Sequence, residues 1–165
     1  MYTPIENMPP NSRVWVYQSN RKLNWDDEKA IAETLKQFCS QWAAHGADLQ
    51  ASFGVYHHRF VMLAVNEEMA SPSGCSIDSS THVIRNLGQQ LDIDFFDRNE
   101  IPFLQDGDIV TFPLSDLKKL FADGRLNESA ITFNSLVATL GEWRAQSQVK
   151  VLDCWVKRYL PKVVA

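Results

Sequence analysis

Six consecutive apolar residues, Phe60-Val61-Met62-Leu63-Ala64-Val65, follow Arg59 and precede Asn66. Side chains in a strand alternate between its two faces, so an unbroken apolar run leaves no face for water. This run predicts a strand buried on both faces. Residues 49–65 read as two strands, with a turn at His57-His58.

Around that run the chain alternates helix and strand signals. Arg13-Val14-Trp15-Val16-Tyr17-Gln18 is short and β-rich. Residues 25–44 carry Ile31, Leu35, Phe38, Cys39 and Trp42 on one helical face. Asn24 caps that helix, Asp26, Asp27 and Glu28 suit its dipole, and Gly46 ends it. A polar loop from Asn66 to Gly74 leads to a second helix, Ile77 to Leu91. Gly88 lies inside it at a cost of about 1 kcal/mol relative to Ala, which suits close packing there.

Ile101-Pro102-Phe103-Leu104 and Ile109-Val110-Thr111-Phe112 flank Asp106-Gly107, a hairpin signal. A short helix opens at Ser115-Asp116-Leu117 and ends at Gly124, with Leu117, Leu120 and Phe121 on one face. Ile131-Thr132-Phe133 predicts a strand. Residues 138–146 and 154–160 predict short helices.

The expected fold class is α+β: mainly antiparallel sheet with helices packed on it. The order strand, helix, strand, strand, helix is compatible with a ferredoxin-like split β-α-β unit in the first half. It is equally compatible with other α+β sheets covered on one face. With 165 residues, one domain is expected over residues 12–165. Residues 1–11, with Pro4, Pro9 and Pro10, read as an extended or loosely held arm.

Charge and cysteines narrow the function classes. The net charge of −4, with both signs interspersed, argues against nucleic acid as partner. No apolar run approaches the ~20 residues that cross a bilayer, so no membrane partner is expected. Met1 to Glu6 lacks the pattern of a signal peptide. Cys39, Cys75 and Cys154 are odd in number and far apart. They predict neither disulfides nor a zinc ribbon, and they suit the cytoplasm.

Gly-Lys-Ser/Thr phosphate loops, Gly-x-Gly-x-x-Gly, Gly-x-Ser-x-Gly and His-Glu-x-x-His are all absent. No cofactor and no metal are expected. In a strand the His57 and His58 rings would point to opposite faces and make no metal pair; a turn position is the better reading, and no set of further ligands is evident. Asp92, Asp94, Asp97 and Glu100 lack the pattern of a calcium loop and read as a solvated face.

The candidate site is Ser73-Gly74-Cys75-Ser76-Ile77-Asp78-Ser79-Ser80. A glycine-containing loop here feeds a helix N-terminus, where free N–H groups and the dipole favour anions. Cys75 is the candidate nucleophile and His82 the candidate base. Ser73, Gly74, Ser76, Asp78 and Ser79 are the candidate ligand contacts. The competing reading is structural: Ser76 caps the helix, Asp78 complements the dipole, and Cys75 is a small buried hydrophobe. Thr81 stands where a tyrosine-phosphatase loop would need arginine. Asp153-Cys154-Trp155-Val156-Lys157-Arg158-Tyr159 combines aromatic and basic residues, as a docked terminal helix or as a partner surface.

Arg13 to Arg21, Ser73 to Ser80, Phe133-Asn134-Ser135-Leu136-Val137 and Asp153 to Tyr159 together resemble a family of small proteins of Bacteroidetes-type bacteria. Its members often carry the label ABC transporter ATPase. The resemblance spans nearly the whole chain from residue 12 onward. The label implies Walker and ABC signature motifs, which this sequence does not contain, so no catalytic residue is carried over. Leu117 to Val137 also resembles the helix-turn-strand part of GYF-like adaptor domains.

Two functions remain. One is a binding or adaptor protein for an unknown protein or small anionic ligand. The other is a small cysteine-dependent enzyme or anion sensor using Cys75.

Overall fold

The computed structural model describes residues 1–162. In chain order its elements are β1 (Arg13–Gln18), α1 (Trp25–Gln41), β2 (Ala43–Ala44), β3 (Ala47–Asp48), β4 (Ala51–Tyr56), β5 (Phe60–Val65) and α2 (Gly74–Leu91). There follow β6 (Glu100–Gln105), β7 (Asp108–Pro113), α3 (Leu117–Ala122), β8 (Ile131–Phe133), α4 (Leu140–Gln146) and β9 (Gln148–Lys150). The fold is α+β, and every pair within its sheets is antiparallel.

The chain splits into two compact units. Unit 1 is Met1–Asp97 with Ser135–Arg144, and unit 2 is Arg98–Asn134 with the residues from Ala145 on. The physical reason is that buried apolar residues gather in separate clusters, one within each unit.

In unit 1, β5 lies between β1 and β4 in a three-stranded sheet. β1 and β4 are each antiparallel to β5 and so run parallel to one another, joined by α1. This is a split β-α-β arrangement. All six residues of β5 are fully buried. Val61, Leu63 and Val65 pack on one face against Ile31, Leu35 and Cys39 of α1 and Ile84 and Leu87 of α2. Phe60, Met62 and Ala64 take the other face, where the Trp143 ring of α4 lies 5.4 Å from that of Phe60. Each large side chain so buried contributes about 1.5–3 kcal/mol.

The three-residue turn into β5, between paired Tyr56 and Phe60, has His57 at φ 55 and His58 at φ 54, both left-handed. The Arg59 N–H closes it on the Tyr56 carbonyl at 3.0 Å. His58 Nδ1 lies 2.6 Å from Glu28 Oε1 on α1, which fixes the tip to that helix.

Residues 1–11 are bonded into unit 1. The Met1 nitrogen donates to the Leu49 carbonyl at 2.8 Å, and the Thr3 N–H donates to the Ala51 carbonyl at 2.9 Å. Met8 is buried. At Gly88 an added Cβ would stand 2.5 Å from the Ile93 carbonyl oxygen, so the chain folding back after α2 needs glycine there.

Unit 2 is a four-stranded sheet in the order β7-β6-β8-β9. Asp106 and Gly107, both at positive φ, make the expected turn between β6 and β7. Ile101 and Phe103 of β6 pack with Leu117, Leu120 and Phe121 at α3 and with Val151 and Val156 further on. The helix expected over 154–160 is a five-residue 3-10 turn, Trp155–Tyr159, in which only Val156 is buried.

One side chain ties the two long helices of unit 1 together. The Arg21 guanidinium donates to both Asp27 carboxylate oxygens, at 2.6 and 3.0 Å, and to the Leu91 carbonyl ending α2 at 2.7 Å. Asp27 also closes the capping box of α1 with Asn24. The hydrogen bond from Arg21 outweighs burial and holds the Asp27 carboxyl below its ordinary pKa. A depressed folded-state pKa stabilises the fold in full above about pH 4, the unfolded value. The contribution is lost as pH falls through the folded value. Arg21 is 39 % exposed, which screens the pair, so about 1 kcal/mol is expected. Urea unfolding at pH 7 and pH 3 checks this. Asp27→Asn should lose less stability between the two pH values than the parent protein does. Equal losses would contradict the assignment.

Candidate functional site

α1 stops at Trp42, whose backbone turns extended at ψ 124. The next residues form a very short hairpin, β2 paired with β3. Its tip is His45 at φ 51 and Gly46 at φ 78. Glycine meets that demand without strain, whereas His45 has a Cβ and pays a steric cost for it. The Leu49 N–H donates to the Trp42 carbonyl at 3.0 Å and closes the base of the hairpin.

α2 begins at Gly74, three residues ahead of the expected Ile77, so the candidate segment lies inside its first two turns. Ser73, not Ser76, is the N-cap. The Ser76 N–H donates to Ser73 Oγ at 3.2 Å, and the Ser73 N–H donates to Ser76 Oγ at 2.7 Å. The Ile77 N–H donates to the Ser73 carbonyl at 3.0 Å. Of the orphan donors at a helix start, this scheme leaves the N–H groups of Gly74 and Cys75.

The hairpin and the start of α2 line one open depression of about 470 Å³. Ala43, Ala44 and His45 come from the hairpin; Ser73, Gly74, Cys75, Ser76 and Ser79 come from α2. The two sides are pinned by Trp42, whose indole N–H donates to the buried Ser76 carbonyl at 2.9 Å. The Trp42 ring is itself held by Phe38 at 4.9 Å and Trp15 at 6.0 Å.

Cys75 is exposed, so the reading of it as a small buried hydrophobe does not hold. Cys39 is the buried thiol, and burial pushes its pKa up to about 12. Ser79 Oγ donates to the Cys75 carbonyl at 3.0 Å. His82 is exposed on α2, seven residues after Cys75. At the rise of an α-helix that is roughly 10 Å along the axis, beyond proton-transfer reach. Asp78 is exposed and does not line the depression.

His45 is the imidazole that the fold supplies instead, and the sequence reading passed over it. Its signal was His45-Gly46 between small residues, a two-residue turn whose flanking strands are too short and too alanine-rich to announce themselves. Among the described residues no three His, Cys, Asp or Glu side chains gather as a metal site, and no helix is long and apolar enough to cross a membrane.

No protein-family model, curated protein or solved structure matches this chain.

Exposure separates the thiols in a way alkylation can read. With iodoacetamide near pH 7.5, native protein should be carbamidomethylated at Cys75 first and at Cys39 only after denaturation, as mass spectrometry of the peptides reports. Equal rates at the two sites would contradict the placement of Cys75.

Proposed function

We propose that the protein is a binding protein that receives a small anionic ligand, bearing a carboxylate or phosphate, at the N-terminus of α2. The observation that carries this reading is the pair of N–H groups, Gly74 and Cys75, left over by the capping box in a depression also lined by His45. Aligned backbone donors at the positive end of a helix dipole hold an anion without any dedicated cation. Ser73 and Ser76 preorganise those donors by satisfying each other. Cys75 and His45 give the ligand side-chain contacts on either side of it. His82 and Asp78 have no part in this reading. The three free thiols suit a reducing compartment such as the cytoplasm.

A second reading assigns chemistry to the same depression. An exposed Cys75 thiol and the His45 imidazole line it together, so His45 takes the place of His82 as base and Cys75 acts as nucleophile. Binding leads because, among the described residues, no hydrogen bond joins Cys75 to a histidine.

The Cys75 alkylation rate tests the first reading. Inorganic phosphate, or a small dicarboxylate, should slow Cys75 modification in a saturable way. His45→Ala should weaken the protection while leaving the unprotected rate within about twofold. Rates indifferent to both anions would remove this reading. A fall of more than tenfold in the unprotected rate in His45→Ala would favour the nucleophile.

A further inference from the structure

The segment after β9 is fixed to unit 2 chiefly by its valines. Val151 and Val156 are fully buried in the unit 2 core. The Val151 N–H donates to the Ala130 carbonyl at 3.0 Å, and the Leu160 N–H donates to the Lys157 carbonyl at 3.1 Å. So anchored, the segment turns its larger side chains outward. Leu152 is 49 % exposed and Trp155 46 % exposed. The Trp155 ring meets Tyr159 edge-on at 6.1 Å, and Tyr159 in turn packs against the core. Trp155 is therefore a propped aromatic rather than a loose one.

Along the chain this pair is flanked mostly by basic residues. Between Gln148 and Lys162 the exposed residues Lys150, Lys157, Arg158 and Lys162 face a single carboxylate, Asp153. The whole chain carries −4, so this segment runs against the charge of the rest. Tryptophan, tyrosine and arginine, here Trp155, Tyr159 and Arg158, are the residue types enriched at the energetic centre of protein interfaces, and lysines suit the polar rim.

We infer that the Leu152–Lys162 surface docks an acidic segment of another protein, one that lays an apolar residue on Trp155 among its carboxylates. Lys157 and Arg158 pair with those carboxylates and set the register. A protein segment fits better than a bilayer or a nucleic acid. Leu152 and Trp155 offer little apolar area to a bilayer face. The three cations of this surface, on a chain of net charge −4, are few for a phosphate backbone. This inference rests on residues of unit 2 alone and not on the proposed function.

Selection of phage-displayed random peptides on the full chain tests the inference. Enriched peptides should carry an aromatic or aliphatic residue flanked by two or more Asp or Glu. Their affinity should fall at least about tenfold in Trp155→Ala and in Lys157→Glu/Arg158→Glu, and stay unchanged in Trp25→Ala. The charge-reversal variant alters only exposed side chains, so it keeps the test valid if Trp155→Ala folds poorly. Selections that yield no peptide, peptides without acidic enrichment, or binding indifferent to the charge reversal would overturn the inference. So would tighter binding, with the same residue dependence, to phosphatidylserine vesicles or to duplex DNA.

Discussion

Phe60 to Val65 have no face to give to water, and unit 1 is arranged around that constraint. The helix-side residues of β5 require α1 and α2. The opposite residues require Trp143, which arrives from a segment almost eighty positions later in the chain. Because α1 and α2 must both lie on the sheet, the end of α1 and the start of α2 come close enough for Trp42 to reach the Ser76 carbonyl. The depression that holds Cys75 and His45 is built around that hydrogen bond. Arg21 performs the matching task at the start of α1 and the end of α2.

The site is local chemistry set on that frame. A serine pair caps the helix reciprocally and leaves two donors over. A strained histidine is carried to the same place by a hairpin only a few residues long. Under the proposed reading those two donors receive a carboxylate or phosphate.

Much of the fold was legible wherever one local rule acted alone. β1, the body of α1, the two-faced β5 and the Asp106-Gly107 hairpin follow from periodicity and turn chemistry. The start of α2 was misjudged because apolar periodicity begins at Ile77, whereas the capping box begins at Ser73 and uses Ser76 where glutamate is the commoner signal. The Trp155–Tyr159 turn reads as an α-helix from composition, which does not say that Val156 and Tyr159 reach the core while Trp155 stays exposed. The division into two units, and with it the return of residues 135–144 to unit 1, depends on contacts distant in sequence. The Cys75 segment was visible in the sequence; that His45 lines the same depression was not, because only the fold brings the β2–β3 hairpin to the start of α2.

The most direct test of the account is a titration of ¹⁵N-labelled protein with inorganic phosphate, followed by amide chemical shifts. Saturable shifts at Gly74 and Cys75, extending to His45 and Ser79 and sparing His82, are the predicted result. Saturable shifts that fall elsewhere, or no saturable shift at Gly74 and Cys75, would contradict it.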